Sequence, residues 1–319
     1  MKSFNKKIII VNAHTNYGGT IVLSELCRNL RKLGVDARLL MVPVFPTKKT
    51  NNAGYKRFIV KYQFIALYNY ILYKITGKER IGFQHVPYFF SHIKDCKLQL
   101  HPYFDKKNSI VIYPEVVFGN PLDADNVVRW LLNNTKYKNL PGAYFKTDLF
   151  IAYREFFNDL DLNPNNYIIR QIYFDLNLYK RYNYGKRQGK CYIVRKGAKR
   201  PDLPTSIDGL VIDRLPEKEK VRIFNESEYC YSYDTQTAYS SIAAICGCKS
   251  IVMPEPGKSR KDYRGEGDSP GYGIAFGDKK EEIEWALSTV DKLAESLDYT
   301  ESNIKNAMNL IEILKKHFK

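Results

Sequence analysis

Residues 6–42, KKIIIVNAHTNYGGTIVLSELCRNLRKLGVDARLLMV, restrict the fold more than any other part of the chain. Lys7 to Val11 is a short β-branched run, and Asn12 to Gly19 is rich in turn formers. From Thr20 to Leu33 the apolar residues Val22, Leu23, Leu26 and Leu30 recur with helical spacing, Gly34 stops the pattern, and DARLLMV starts a second strand. Strand, loop, helix and strand in that order form a βαβ unit, which requires a parallel sheet.

A chain of 319 residues exceeds one ordinary core, so two domains of roughly 150 residues each are expected. In the first, Ser109 to Tyr113 and the segments TDLFIAYRE and NYIIRQIYF read as strands. Pro114-Glu115 breaks the chain, and Val127 to Leu132 reads as a helix with Asp123 or Asp125 as its cap. The charged stretch Lys180 to Lys190, with Gly185 and Gly189, marks a boundary, giving domains 1–185 and 186–319. Beyond it, strands at KCYIVRKG, DGLVIDRL, YCYSY and CKSIVMPE alternate with helices at EKEKVRIFNES and QTAYSSIAAICG, and two helices close the chain. The expected class is α/β, with two Rossmann-like parallel-sheet domains facing a central cleft where the carboxyl ends of the strands receive ligands.

The net charge of +16 is uneven. Residues 47–80 hold eight Lys/Arg against one Glu, and residues 178–200 hold nine and no acid. Such fields attract phosphate, as nucleotide, anionic lipid or nucleic acid. Six scattered cysteines without a paired framework indicate a reduced, cytoplasmic chain, and the basic amino terminus reads as a first strand, not a leader. Tyr55 to Ile75 is a helix of about 21 residues, roughly 31 Å long. Its polar residues Lys61, Gln63 and Asn69 argue against a bilayer span. It either packs between domains or lies in a membrane interface, with Lys56, Arg57 and Lys61 toward the lipid.

Candidate site residues cluster at strand ends. Asp234 follows YCYS, and with Thr235, Thr237 and Ser240 it either caps the next helix or leaves that helix's first N–H groups to a phosphate. Glu255 ends the following strand, and Arg195-Lys196-Gly197 ends CYIV, where Arg and Lys suit a diphosphate. In the first domain, Gly18 and Gly19 let backbone approach a phosphate at a helix start. This is not the GxGxxG fingerprint of dinucleotide enzymes. His14 is an acid/base candidate, and so is Glu115, a carboxylate placed to take a proton from an acceptor hydroxyl. His85, His92 and His101 lack ligand spacing, and the pair Asp123 and Asp125 reads as capping, so no metal or cofactor is expected.

The Gly-Gly loop, the basic turn opening the second domain, YDTQTAYSSIAAICGCKSIVMPE and YPEVVFGNPLDADNVVRWLLN together resemble glycosyltransferases of the GT-B fold, nearest to bacterial enzymes of lipopolysaccharide and capsule synthesis. The resemblance covers most of the chain. It implies a hexosyl- or deoxyhexosyltransferase that takes a nucleoside-diphosphate sugar and a lipid-linked or polysaccharide acceptor at the inner face of a membrane. Arg195 and Lys196 would hold the diphosphate, Asp234, Thr235 and Thr237 the sugar or phosphate region, and Gly18 and Gly19 would approach the donor phosphate. Ile242 stands where many retaining members carry a second glutamate, so the nucleoside would fall to Glu255 or another residue. Two other readings stay open. One is a nucleotide-sugar epimerase, and the other is a non-enzymatic nucleic-acid binder using basic runs and tyrosines, although no recognised nucleic-acid module occurs.

Overall fold

The computed structural model describes residues 4–13, 18–78, 95–235, 237–263 and 270–318. The chain forms two compact units: Met1–Tyr173 with Tyr299–Lys319, and Phe174–Asp298. The boundary expected at 185/186 therefore falls inside the second unit, and the last helix belongs to the first.

The first unit is built on the strands β1 (Lys7–Ala13), β2 (Ala37–Val42), β3 (Ser109–Pro114), β4 (Asn126–Leu131) and β5 (Leu149–Ala152), in the order β2-β1-β3-β4-β5. Every pairing is parallel. Because side chains alternate across a strand, β1 serves two cores. Ile8 and Ile10 pack with Leu23, Leu26 and Leu30 of helix α1 (Gly18–Lys32). Ile9 and Val11 pack with Tyr55 and Ile59 of helix α2 (Asn52–Thr76). The amphipathic and β-branched patterns of residues 6–42 thus give the expected strand, helix and strand.

Two expectations for this unit are overturned. Val127 to Leu132 is not a helix: residues 126–131 form β4, between β3 and β5 and buried along almost its whole length. A short apolar run fits a doubly covered strand as well as a helix, and its β-branched and aromatic content favours the strand. Asp123 caps nothing there. It adopts φ 58 in a turn and pairs with Lys106. NYIIRQIYF is likewise not a strand, making only one bridge, between Ile168 and Ala152. It is held by side chains instead. Trp130 Nε1 donates to Ile169 O (3.2 Å), and Gln171 Nε2 donates to Asn303 O (2.8 Å).

The second unit has strands β6 (Lys190–Ile193), β7 (Leu210–Val211), β8 (Tyr229–Ser232), β9 (Lys249–Val252) and β10 (Ile274–Phe276), in the order β10-β9-β8-β6-β7, again all parallel. Cys191, Ile193 and Cys230 face Val221 and Phe224 of α3 (Glu217–Glu226) and Ile242 and Ala243 of α4 (Tyr239–Ile245). On the other face, Ile251 and Ala275 meet Ala286 of α5 (Lys280–Ser296). All six cysteines are free.

Helix α6 (Thr300–His317) returns to the first unit, where Ala307, Leu310 and Leu314 are fully buried beside α1. Each buried leucine contributes roughly 1.5–3 kcal/mol. A polar network fixes this return. Asn29 Nδ2 donates to Glu25 Oε1 (2.8 Å) and to Gln171 Oε1 (2.9 Å), while Asn303 Nδ2 donates to Ile172 O (2.7 Å).

Candidate functional site

Each sheet ends in a carboxylate that is almost fully buried. In the first unit it is Glu115, 5% exposed, just beyond β3. Its Oε2 accepts from Leu132 N (3.0 Å), its N–H donates to Trp130 O (3.1 Å), and its carbonyl accepts from Tyr144 Oη (2.7 Å). Burial pushes the carboxyl pKa up to about 7, and the main-chain N–H of Leu132 offsets only part of that shift. No cation pairs with Glu115 among the described residues. The site therefore favours a carboxyl that gains and loses a proton near neutrality.

Arg129 holds the loop that follows Glu115. It is fully buried, with Nε 2.8 Å from Asp148 Oδ2, and it donates from Nη1 to Val117 O (2.9 Å) and from Nη2 to Gly119 O (2.5 Å). The guanidinium lies over the rings of Tyr113 (4.9 Å) and Tyr144 (5.3 Å). Asn120 completes the frame, its Oδ1 accepting from Tyr113 Oη (3.0 Å) and Ala124 N (3.1 Å). YPEVVFGNPLDADNVVRW thus encodes one rigid support for Glu115. Arg129 was not among the expected site residues, because clipping loop carbonyls leaves no spacing signature.

Gly18 and Gly19 open α1 as expected. A Cβ on Gly19 would lie 3.4 Å from Leu132 Cδ1, so the first turn of α1 reaches the residue whose N–H holds Glu115. Asn12 fixes that turn through Nδ2, which donates to Thr20 O (2.9 Å) and Ser24 Oγ (3.0 Å). His14, His85 and His92 lie outside the described residues.

In the second unit the corresponding carboxylate is Asp234, 2% exposed, beyond β8. Lys196, from the turn after the neighbouring β6, places Nζ 3.8 Å from Asp234 Oδ1. Arg195 and Lys196 are both exposed in that turn, while Gly197 is buried. A Cβ on Gly197 would meet Tyr233 O at 2.2 Å, so this glycine serves close packing of the turn on β8 and not only flexibility. Arg200, also unforeseen, ties the rim together. It donates from Nη1 to Met253 O (2.7 Å) and Tyr233 O (3.2 Å), and from Nη2 to Pro254 O (2.8 Å).

The helix expected to start beside Asp234 starts only at Tyr239, and its N-cap residue, Ala238, makes no side-chain cap. Asp234 is therefore not its cap. The Asp234 carbonyl accepts from Ser232 Oγ (2.8 Å). Thr235 is half-buried in this turn, and Thr237 Oγ1 accepts from Tyr239 N (3.3 Å). Gly247 does end α4, at φ 90: Cys248 N donates to Ala243 O and Gly247 N to Ala244 O (both 2.9 Å), a Schellman arrangement. Ile242 packs in the core, 4% exposed, where a carboxylate would be buried among Cys191 and Phe224. Glu255 is half-buried and pairs with Lys258 (2.6 Å), its N–H donating to Tyr263 Oη (2.7 Å). Lys56, Arg57 and Lys61 lie along α2, and burial lowers the Lys56 pKa. Among the described residues no group of three His, Cys, Asp or Glu is arranged to hold a metal ion.

No family model matches the chain, and no curated protein matches it. Among solved structures it is similar to the glycosyltransferase SnogD from Streptomyces nogalater, at 11% identity and TM-score 0.37 over 97% of this chain and 99% of that one. It is also similar to the glycotransferase of kitacinnamycin (10%, TM-score 0.33, 98% and 95%) and to spinosyn forosaminyltransferase SpnP (12%, TM-score 0.34, 98% and 94%).

Proposed function

We propose that the chain is a glycosyltransferase of the GT-B type, moving a sugar from a nucleoside-diphosphate sugar to a lipid-linked or polysaccharide acceptor. The observation that carries this reading is the second rim, where a basic turn and a buried aspartate from adjacent strands meet at 3.8 Å. Arg195 and Lys196 take the diphosphate, and Asp234 accepts hydrogen bonds from sugar hydroxyls. Thr235, Thr237 and Glu255 contribute polar groups to the same donor region. In the first unit, Gly18 and Gly19 open the first turn of α1, where bare backbone can receive a phosphate. Glu115 is the base, with a pKa of about 7 that suits proton transfer near neutrality.

In the reaction the acceptor oxygen bonds to the anomeric carbon, and the bond from that carbon to the diphosphate oxygen breaks with its electron pair leaving on the diphosphate. The acceptor proton passes to Glu115, and Arg195 and Lys196 carry the leaving-group charge. Lys56, Arg57 and Lys61 keep the protein near a membrane that holds the acceptor.

A thermal-shift screen against UDP-, GDP- and dTDP-sugars tests the donor class, since a ligand at about 100 times its dissociation constant adds about 2.7 kcal/mol of stability. Asp234→Ala should lose the extra shift given by the sugar and keep that given by the nucleotide. Hydrolysis or epimerisation of the free donor without any acceptor would replace transfer by the epimerase reading. Oligonucleotide binding with steep salt dependence and no response to any nucleotide sugar would overturn the enzyme reading.

A further inference from the structure

Among the described residues, helix α2 is docked along one side only. Tyr55, Ile59 and Ala66 are buried, Tyr55 Oη donates to Val44 O (2.8 Å), and Gln63 Nε2 donates to Met41 O (2.8 Å). On the opposite side Phe64 is 71% exposed, Tyr68 57%, Ile71 48% and Ile75 76%. Their spacing of i, i+4, i+7 and i+11 places them on a single stripe. Followed toward the amino terminus, the same stripe continues as Lys61 and Arg57, both exposed. The outer stripe of α2 thus starts basic and becomes apolar, and from Pro43 to Lys78 the chain holds seven Lys/Arg and no Asp or Glu.

The structure assigns this stripe to the interface of an anionic bilayer, with Phe64, Tyr68, Ile71 and Ile75 among the acyl chains and Arg57 and Lys61 at the level of the lipid phosphates. The helix lies in the membrane surface, since no helix among the described residues is long and apolar enough to cross a membrane. Charge selects the occupant. A second copy would set one acid-free basic segment against another, whereas lipid phosphates neutralise it. The apolar part of the stripe is also short, roughly 17 Å of helix, against about 800 Å² per partner in a stable protein interface. The inference deepens the membrane contact proposed above by naming the inserted side chains, and it rests on that reading only for the purpose it serves.

Flotation of the full chain with vesicles that contain neither donor nor acceptor tests it. Binding to vesicles of equal phosphatidylglycerol and phosphatidylcholine is expected, with little binding to phosphatidylcholine alone. The double variant Ile71→Ser with Ile75→Ser should bind anionic vesicles more than about tenfold more weakly, because the buried apolar area is lost. Phe64→Trp should be quenched by lipids brominated in the acyl chain. No binding to anionic vesicles at low salt would overturn the inference, as would unchanged binding by the double variant. A wild-type dimer that the double variant dissociates, seen by light scattering, would assign the stripe to a second copy instead. If vesicle binding stands while sugar transfer fails, the functional reading falls and the membrane surface remains.

Discussion

The carboxylates at the ends of the two sheets make an instructive pair. Glu115 and Asp234 both follow a parallel strand and both are almost completely buried. Glu115 is held by main-chain groups, and burial drives its pKa up to about 7. Asp234 has Lys196 at 3.8 Å. Burial alone therefore does not assign a role. A carboxyl held only by backbone and raised in pKa by burial is prepared to exchange a proton, whereas one beside an ammonium is held in an ion pair.

Four experiments test this contrast. Glu115→Gln should lower turnover by about 10²- to 10⁴-fold while the thermal shift given by a nucleotide sugar persists, because general-base catalysis contributes about that much. A comparable loss of both would place Glu115 in structure, not in chemistry. Arg129→Met removes one partner of a fully buried ion pair and should destabilise the first unit by about 3–5 kcal/mol in chemical denaturation. If it leaves stability unchanged, the loop after Glu115 has another support.

The third experiment is pH-dependent. The folded protein holds the Glu115 proton more tightly than the unfolded chain between the ordinary carboxyl value of 4.5 and about 7. The stability this contributes is complete below 4.5 and is lost as pH rises through 7, roughly 3 kcal/mol across the window. Urea midpoints at about pH 5 and about pH 8 should show that loss in the wild type but not in Glu115→Gln. The smallest effect is expected for Gly197→Ala, whose Cβ would press on Tyr233 O at 2.2 Å. Overpacking of that kind costs about 1–3 kcal/mol, and displacement of the Lys196 turn should also weaken nucleotide affinity.

Much of this was legible in sequence because strand ends are. Lys7 to Val11 and Tyr229 to Ser232 have the β-branched or aromatic content of strands, so the residues after them fall at a rim wherever the helices lie. The segment 126–131 was misread because a strand buried on both faces lacks the alternation that separates it from a helix. The start of α4 differs from the expectation because Asp, Thr and Ser cap helices and also turn chains, and here the Asp234 carbonyl takes a local hydrogen bond from Ser232. Arg129 and Arg200 escaped notice for a different reason. Each satisfies carbonyls brought together by tertiary structure, at Val117 and Gly119 for one and at Tyr233, Met253 and Pro254 for the other.

The return of helix α6 to the first unit bears on how the protein is made. Ala307, Leu310 and Leu314 complete a core whose other members are translated first, so the amino-terminal sheet and α1 emerge from the ribosome with part of their hydrophobic surface uncovered. The second unit is synthesised whole during that delay and has its own sheet and cores. The part begun first is therefore finished last, and truncation just before Thr300 should release a folded second unit attached to a first unit prone to aggregation.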